Sequence, residues 1–158
     1  MLESDTFKTI VKNAPLVSID ICIIHSGKLL LGNRNYEPLK GKWFTPGGRV
    51  FKNEPWQECL RRVAYSELGL VIEDHPSFTL MGVWDHLYKN SVMDENVSTH
   101  YVNLPHYCIL EERPRLSTDQ QHNDLSWFDL EEIAGKNGFH KYMRSYAYWL
   151  IDRIKIND

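Results

Sequence analysis

Apolar residues recur at helical spacing in some segments of the chain and form strand-like apolar runs in others. The pattern therefore predicts helices and strands that alternate along the chain. Residues 5–13 carry apolar side chains at helical spacing, which predicts a short helix. The run 16–24 that follows is almost continuously apolar and rich in β-branched residues, as is typical of a buried strand. A His-Ser-Gly-Lys turn at 25–28 leads to a returning strand at 29–32, so the pattern predicts a β-hairpin.

The middle of the chain changes from aperiodic to strongly helical. Residues 33–49 contain glycine and proline with little period and predict a loop, with at most a short strand at 43–44. The helix after this loop is the clearest element, because Asn53 is a good N-cap, Pro55 falls in the first turn and Gly69 ends it. A loop that leads directly into a well-marked helix is therefore expected at the centre of the chain.

The second half of the chain continues the alternation. Further strands are predicted at 78–88, 99–110 and 125–128, and further helices at 129–133 and 141–154. The first two of these strands are separated by a polar loop, residues 89–98. There is no internal repeat or linker, so the pattern predicts one α/β (α+β) domain over residues 1–158, with a mixed sheet.

The composition is that of an ordinary soluble domain. The 158 residues include 18 Lys and Arg against 21 Asp and Glu, and the net charge of −3 argues against a nucleic-acid binder with a broad basic face. No apolar run approaches the ~18–20 residues of a membrane span, and residues 1–13 lack a signal-peptide pattern. Cys22, Cys59 and Cys108 each lie in an apolar context, which predicts buried, reduced thiols in a cytoplasmic protein.

The loop before the central helix carries candidate chemistry for an anion. Gly47 and Gly48 let the backbone approach a ligand closely, the helix start favours negative charge, and Arg49 adds a cation. Glu67 falls on the same helical stripe as three apolar residues, Trp56, Leu60 and Val63. A carboxylate on an apolar stripe is paired, protonated or bound to a metal, because burying it alone is expensive. Two interpretations stay open: a structural ion pair with an arginine, or a cation shared with a phosphate ligand.

The spacing of these central residues resembles a known motif. The fixed positions of the Nudix box are matched, over residues 48–70, by Gly48, Glu54, Arg62 and the run Glu67-Leu68-Gly69-Leu70. Two positions depart from the box, because Val63 and Ser66 stand where the family has Glu residues of its usual metal cluster. Losing two of three acidic ligands weakens a multi-metal site, which disfavours ordinary diphosphate hydrolysis at phosphorus.

The same departures occur in one branch of the Nudix hydrolase superfamily, the GDP-mannose mannosyl hydrolases, and the resemblance to that branch covers nearly the whole chain. Matching segments lie at 15–20, 30–34, 43–50, 82–86, 99–102 and 121–124. The resemblance implies a single Nudix domain, residues 1–158, folded as an α/β/α sandwich with a mixed β-sheet. It also implies a homodimer that acts on a GDP-sugar.

The resemblance implies one Mg²⁺ per subunit, with Mn²⁺ able to replace it. The implied protein ligands are the Gly47 carbonyl, the Glu67 carboxylate and the Gln121 carboxamide, with substrate phosphates and water completing the octahedron. His122 is the implied general base, since a neutral imidazole accepts a proton from water near pH 7. Attack of that water at C1 of the sugar would release GDP and invert the anomeric centre.

Four more residues complete the implied catalytic set around His122. Arg34 and Arg49 would place positive charge at the departing diphosphate, and Tyr101 would donate a hydrogen bond to a phosphate oxygen. Asp20 is a sugar-side contact or a partner of the base. It lies within an apolar strand, where an unpaired acid costs several kcal/mol.

Three further residues are implied to bind substrate together with the two arginines and Tyr101. His86, like Asp20, is a sugar-side contact or a partner of His122. Phe7 and Leu2 match positions that touch guanine in this branch, often across a dimer.

Three functions are compatible with these residues. The first is hydrolysis of GDP-mannose, or of GDP-glucose, to GDP and the free sugar. The second is a diphosphatase that cleaves a nucleotide sugar or nucleoside triphosphate at phosphorus, and the third is a non-catalytic nucleotide-sugar binder that has lost its box carboxylates. The retained pair Gln121 and His122 favours the first, since a decayed site need not keep both.

Overall fold

The computed structural model describes residues 2–35, 37–92, 94–117, 122–136 and 138–157, with the backbone alone at 122, 123, 156 and 157. Its helices are α1 (Ser4–Asn13), α2 (Trp56–Leu68), α3 (Leu130–Gly135) and α4 (Lys141–Asn157), with a 3-10 turn at Ile72–Asp74. Its strands are β1 (Leu16–His25), β2 (Lys28–Arg34), β3 (Trp43–Phe44), β4 (Gly47–Arg49), β5 (Thr79–Leu80), β6 (Trp84–Tyr88), β7 (Thr99–Leu110) and β8 (His122–Asp129). None of the described helices is both long and apolar enough to span a bilayer.

Strand β1 is apolar almost without interruption because helices cover it from both sides. Ile19, Ile21 and Ile23 pack in one cluster with the buried residues of α2. Cys22 and Ile24 pack on the opposite face in a second cluster, which includes residues of α3 and α4. Successive side chains of a strand point to opposite faces, so a strand between two helical layers needs apolar residues on both. The predicted α/β/α sandwich with a mixed sheet is confirmed.

The sheet divides at β1, because this strand has one partner along one edge and two partners along the other. Along the first edge, β7 pairs with β1 in parallel over the full length, from Leu16 opposite Tyr101 to His25 opposite Leu110. Along the second edge, β4 pairs with residues 18–20 and β2 pairs with residues 24–25, both antiparallel. β2 then leaves β1 to pair with β3 and β8. The two branches leave β1 at different points, and this split positions the cleft described below.

Helix α2 begins later than the sequence predicts. Asn53 has a φ of 67° and lies in a turn, whereas an N-cap residue takes an extended backbone, so the prediction of Asn53 as the N-cap is wrong. Pro55 is the residue before the helix, and the first helical residue is Trp56. The end at Gly69 is confirmed, since this glycine takes the left-handed conformation (φ 69°) and its N–H donates to the Tyr65 carbonyl at 2.9 Å.

The strands differ from those predicted by the periodicity in two regions. The predicted loop over residues 33–49 includes β4, a strand of two glycines and an arginine that forms by pairing with β1. The predicted strand over residues 78–88 is two strands, β5 and β6, because the backbone breaks between them. The three cysteines are free and buried, as predicted.

Candidate active site

A cleft of about 340 Å³ opens where the sheet divides, and its walls come from both branches. Eight of the residues singled out in the sequence line this cleft: Phe7, Asp20, Arg34, Gly47, Arg49, Glu67, His86 and Tyr101. They come from α1, α2 and five strands, and the fold brings them together across more than 90 residues of sequence. Their convergence in one concave site is typical of a ligand-binding pocket.

Three other sequence-predicted residues are placed differently. Leu2 is 46% exposed and does not line the cleft. Gln121 lies outside the described residues. The backbone of His122 opens β8 and is paired opposite Arg34, a residue of the cleft, so the strand position of the proposed base borders the site.

The pairing of β2 with β8 is irregular beside Arg34. Gly32 pairs with Leu125, but Arg34 pairs with His122, so β8 has two residues opposite the single Asn33 of β2. Such a bulge bends the strand that carries it, and bulges are frequent beside active sites. The bulge of β8 therefore lies next to Arg34, a residue of the cleft.

Asp20 is a buried acid that the protein surrounds with donors. Tyr146 of α4 donates to Asp20 Oδ2 at 2.6 Å, and the Asn103 amide donates to the same oxygen at 3.0 Å. The amide oxygen of Asn103 in turn accepts from the Ser18 hydroxyl at 2.9 Å. Burial raises the pKa of Asp20 to about 6, while these hydrogen bonds and the nearby charge of Arg34 limit the rise. Asp20 is therefore mostly ionised at neutral pH.

His86 is the neutral counterpart of Asp20 in the same wall of the cleft. Its ring stacks on Tyr142 with centroids 4.0 Å apart and planes 9° apart, and its Nε2 lies 3.4 Å from the Tyr146 hydroxyl. Burial, with the nearby His140 in second place, lowers the pKa of His86 to about 4. The cleft thus offers an anionic acceptor and an uncharged imidazole linked through one tyrosine.

Glu67 and Gly47 offer the cleft oxygen ligands that fit a hard divalent cation. Glu67 is 5% exposed and lines the cleft from α2. In the antiparallel pairing of β1 with β4, the Ile21 N–H donates to the Pro46 carbonyl and the Val50 N–H donates to the Val17 carbonyl. These bonds flank the pair formed by Asp20 and Gly47, so Gly47 itself makes no backbone hydrogen bond to β1. Its carbonyl therefore points away from β1. A carboxylate and a backbone carbonyl are ligands that Mg²⁺ accepts.

Neither of the two positions that depart from the Nudix box offers a carboxylate to a metal. Val63 is buried, and a Cβ placed on Gly48 would lie 2.9 Å from its Cγ2, so the valine fills the space between α2 and β4. The Ser66 hydroxyl lies 3.5 Å from the Val63 carbonyl oxygen. Among the described residues, no three His, Cys, Asp or Glu side chains are grouped to hold a metal.

Arg62 and Glu54 clamp the loop that carries Arg49. The Arg62 guanidinium donates to both Glu54 oxygens, at 2.8 and 2.9 Å, and to the Arg49 carbonyl at 2.9 Å. Glu54 also accepts from the Phe51 N–H at 3.0 Å. The hydrogen bonds of Arg62 lower the pKa of Glu54 to about 2. The arginine of the box is therefore bound to Glu54 and the loop backbone.

Two residues of this site were missed in the sequence. Asn103 interrupts the apolar strand β7, and a polar residue in such a run is a signal that could have identified it. Tyr146 gave no such signal, because it has the helical spacing of the core residues around it and is fully buried. Its role depends on a contact with Asp20, 126 residues away.

Comparison with known proteins places this fold and cleft in a family. A sequence model of the NUDIX domain matches residues 14–150. The chain therefore belongs to the NUDIX domain family.

Individual relatives add detail to that assignment. The chain is 38% identical over 145 residues to the low-salt glycan biosynthesis protein Agl8 of Haloferax volcanii, a match that covers 92% of this chain and 88% of the relative. The MutT NUDIX hydrolase of Burkholderia pseudomallei superposes with a TM-score of 0.68 at 26% identity, covering 87% of this chain and 98% of that one. The NUDIX domain of Shewanella oneidensis NrtR, whose structure contains ADP-ribose, superposes with a TM-score of 0.69 at 15% identity, covering 98% and 99% of the two chains. The last likeness concerns the fold alone.

Proposed function

We propose that the protein hydrolyses a GDP-sugar, with GDP-mannose as the substrate, between C1 of the sugar and the diphosphate. The observation that carries this proposal is the altered box: Val63 and Ser66 offer no carboxylate, and Glu67 is the box carboxylate that lines the cleft. One carboxylate supports a metal that orients a diphosphate but not a multi-metal centre that attacks phosphorus. The likeness to a glycan biosynthesis protein supports a sugar-linked substrate.

The diphosphate end of the substrate is assigned to the cations of the cleft. Arg34 and Arg49 would bind the phosphate oxygens and stabilise the negative charge that grows as GDP departs. Burial raises the pKa of Tyr101, so its hydroxyl keeps its proton and acts as a hydrogen-bond donor beside them. A divalent metal, which NUDIX hydrolases generally use, would be held by Glu67, the Gly47 carbonyl and Gln121, and would supply further positive charge to the diphosphate when bound.

The sugar end is assigned to Asp20 and His86. A carboxylate accepts hydrogen bonds from hydroxyl groups, and a neutral imidazole offers one donor and one acceptor, which suits a polyhydroxyl ring without charge. Tyr146 holds the two side chains in one network. This pairing would orient C1 toward the water.

His122 would take the proton of the attacking water. The water oxygen forms a bond to C1 on the face opposite the diphosphate, while the bond from C1 to the diphosphate oxygen breaks and its electron pair leaves with GDP. Inversion at C1 follows from this single displacement. At neutral pH an unperturbed imidazole has the proton affinity for this step.

Hydrolysis of GDP-mannose in ¹⁸O-water tests the position of bond cleavage. We expect the label in mannose and none in GDP, with β-mannose as the first anomer in proton NMR spectra. Label in a phosphate group would show a diphosphatase and contradict the proposal. Tight binding without turnover at any Mg²⁺ or Mn²⁺ concentration would show a non-catalytic binder.

Replacement of the proposed base tests its role directly. His122→Gln should lower kcat by on the order of 10²–10⁴, because the water loses its base, while the affinity for GDP stays close to that of the wild type. His75→Gln, at a histidine outside the cleft, is the matched control and should leave both quantities unchanged. Wild-type turnover in His122→Gln would exclude this histidine as the base.

A further inference from the structure

Phe51 is an exposed aromatic residue whose ring lies against two cations. It belongs to the loop between β4 and α2, and it is 40% exposed while lining the cleft. The Arg62 Cζ lies 3.9 Å from the ring centroid and the Arg49 Cζ lies 5.0 Å from it. Both distances are within the range of a cation–π contact. One ring therefore connects the arginine of the clamp to an arginine of the cleft.

Arg49 is held by a second ring as well. Phe7 of α1 lies 4.8 Å from the Arg49 Cζ, so phenyl rings from two elements contact this guanidinium. Within the described part of the chain, no carboxylate forms an ion pair with Arg49, whereas Arg62 is paired with Glu54. An aromatic ring restricts a guanidinium without cancelling its charge. Arg49 is thereby held between two rings, and it keeps its positive charge at the lining of the cleft.

The backbone fixes the ring of Phe51 in turn. Its N–H donates to Glu54 Oε1 at 3.0 Å, and its carbonyl accepts from the Glu54 N–H at 3.0 Å. Since Arg62 binds the Arg49 carbonyl, the clamp holds Arg49 at its backbone and, through the Phe51 ring, at its side chain.

We propose that Phe51 is a positioning residue for the diphosphate site, holding the Arg49 guanidinium in the cleft through ring contact. This inference rests on the proposed function in one respect, that Arg49 binds a diphosphate. It adds a residue outside the set that contacts substrate, and it assigns to the ring a role that depends on its π face.

Calorimetric titration with GDP in the presence of MgCl₂ measures this role apart from catalysis. Phe51→Leu keeps an apolar side chain but removes the ring, and we expect GDP to bind about 3- to 30-fold more weakly. Phe51→Tyr restores the ring and should bind within about twofold of the wild type. Tyr65→Leu, at an aromatic residue that is 66% exposed on α2, is the control for loss of an exposed ring and should not change the affinity.

A double-mutant cycle shows whether Phe51 acts through Arg49. In the Arg49→Ala background, Phe51→Leu should weaken GDP binding no further, because the group that the ring positions is absent. Unchanged affinity in Phe51→Leu, an equal loss in both backgrounds, or no GDP binding by the wild type would overturn the inference. Binding of GDP without hydrolysis of GDP-mannose would instead contradict the proposed function and leave the role of Phe51 supported by the cycle.

Discussion

At the scale of single residues, the absence of side chains at Gly47 and Gly48 allows neighbouring elements of the protein to lie in close contact. A Cβ on Gly47 would lie 2.3 Å from Asp20 Oδ1 and 2.7 Å from the Ile19 carbonyl oxygen. A Cβ on Gly48 would lie 2.9 Å from Val63 Cγ2. The first glycine leaves room for the buried acid of the cleft, and the second allows α2 to pack on β4. Their lack of side chains thus allows two close approaches, of β4 to β1 and of α2 to β4.

Substitution of Gly48 should be costly for this reason. Gly48→Ala forces a methyl group against the buried Val63, and we expect a loss of about 1–3 kcal/mol in the free energy of unfolding. Urea denaturation measures it. Gly135→Ala is the control, because a Cβ there meets nothing within 4 Å, and it should match the wild type or exceed it slightly. Equal stability of the two variants would show that α2 and β4 can move apart without a loss in the free energy of unfolding.

The residues of the cleft were predictable where they belong to a motif or where a charged side chain stands in an apolar segment. Asp20 stands out as an acid in an apolar strand, and Glu67 as an acid on an apolar stripe. Arg49 is marked by its place after the paired glycines and before the helix, whereas Arg34 entered through the resemblance, because a lone arginine has no pattern of its own. Tyr146 and Phe51 could not be found, since their roles depend on contacts that local sequence does not encode.

At the scale of elements, the clamp between Arg62 and Glu54 ties α2 to the loop before it. It also explains the late start of the helix. The Glu54 side chain folds back to Phe51 and to Arg62, so residues 51–54 form a turn in place of a first helical turn. Periodicity located α2 and its glycine end. It could not locate the start, which is determined by side chains that come together only in the folded loop.

The clamp should make the stability of the protein sensitive to acid. The pKa of Glu54 lies at about 2 in the folded chain and at its ordinary 4.5 when unfolded, so its contribution is full above pH 4.5. It is lost as the pH falls from 4.5 toward 2. Glu54→Gln should therefore cost about 1–2 kcal/mol of unfolding free energy at pH 7, and the difference from the wild type should shrink below pH 4.5.

Denaturant titrations of both proteins across this pH range measure the difference. Glu73→Gln is the control, because Glu73 pairs with Arg61 on an exposed surface, where an ion pair contributes little, and the variant should differ from the wild type much less than Glu54→Gln does. A constant difference between Glu54→Gln and the wild type down to pH 2 would contradict the assigned cause.

At the scale of the whole molecule, the proposed ligands should stabilise the fold together more than separately. Three protein oxygens with one formal charge make a weak metal site, and the diphosphate would supply the missing negative charge. At 100 times its Kd, GDP with Mg²⁺ should add about 2.7 kcal/mol to the free energy of unfolding, and Mg²⁺ alone far less. Thermal unfolding with Mg²⁺ alone, with GDP alone and with both measures the stabilisation. The Glu67→Gln variant should lose the part of the stabilisation that depends on Mg²⁺. An equal effect of Mg²⁺ alone would contradict a shared site.

The general architecture was accessible from sequence, because a strand that is apolar almost throughout needs cover on both sides, and the helices supply it. The split of the sheet was not accessible. It depends on β4, which has no strand propensity of its own and forms only against β1. The cleft exists because of that pairing.

The contact between Tyr146 and Asp20 has a consequence for how the protein is made. During synthesis the ribosome releases Tyr146 126 residues after Asp20, so the hydrogen bond that completes this wall of the cleft forms only after α4 has been synthesised. The parallel pairing of β1 with β7 also joins segments distant in sequence, and such topologies fold slowly. A nascent chain that still lacks α4 would expose an acid facing the space that Tyr146 later fills. The cleft should accordingly become competent for its ligand only when α4 docks.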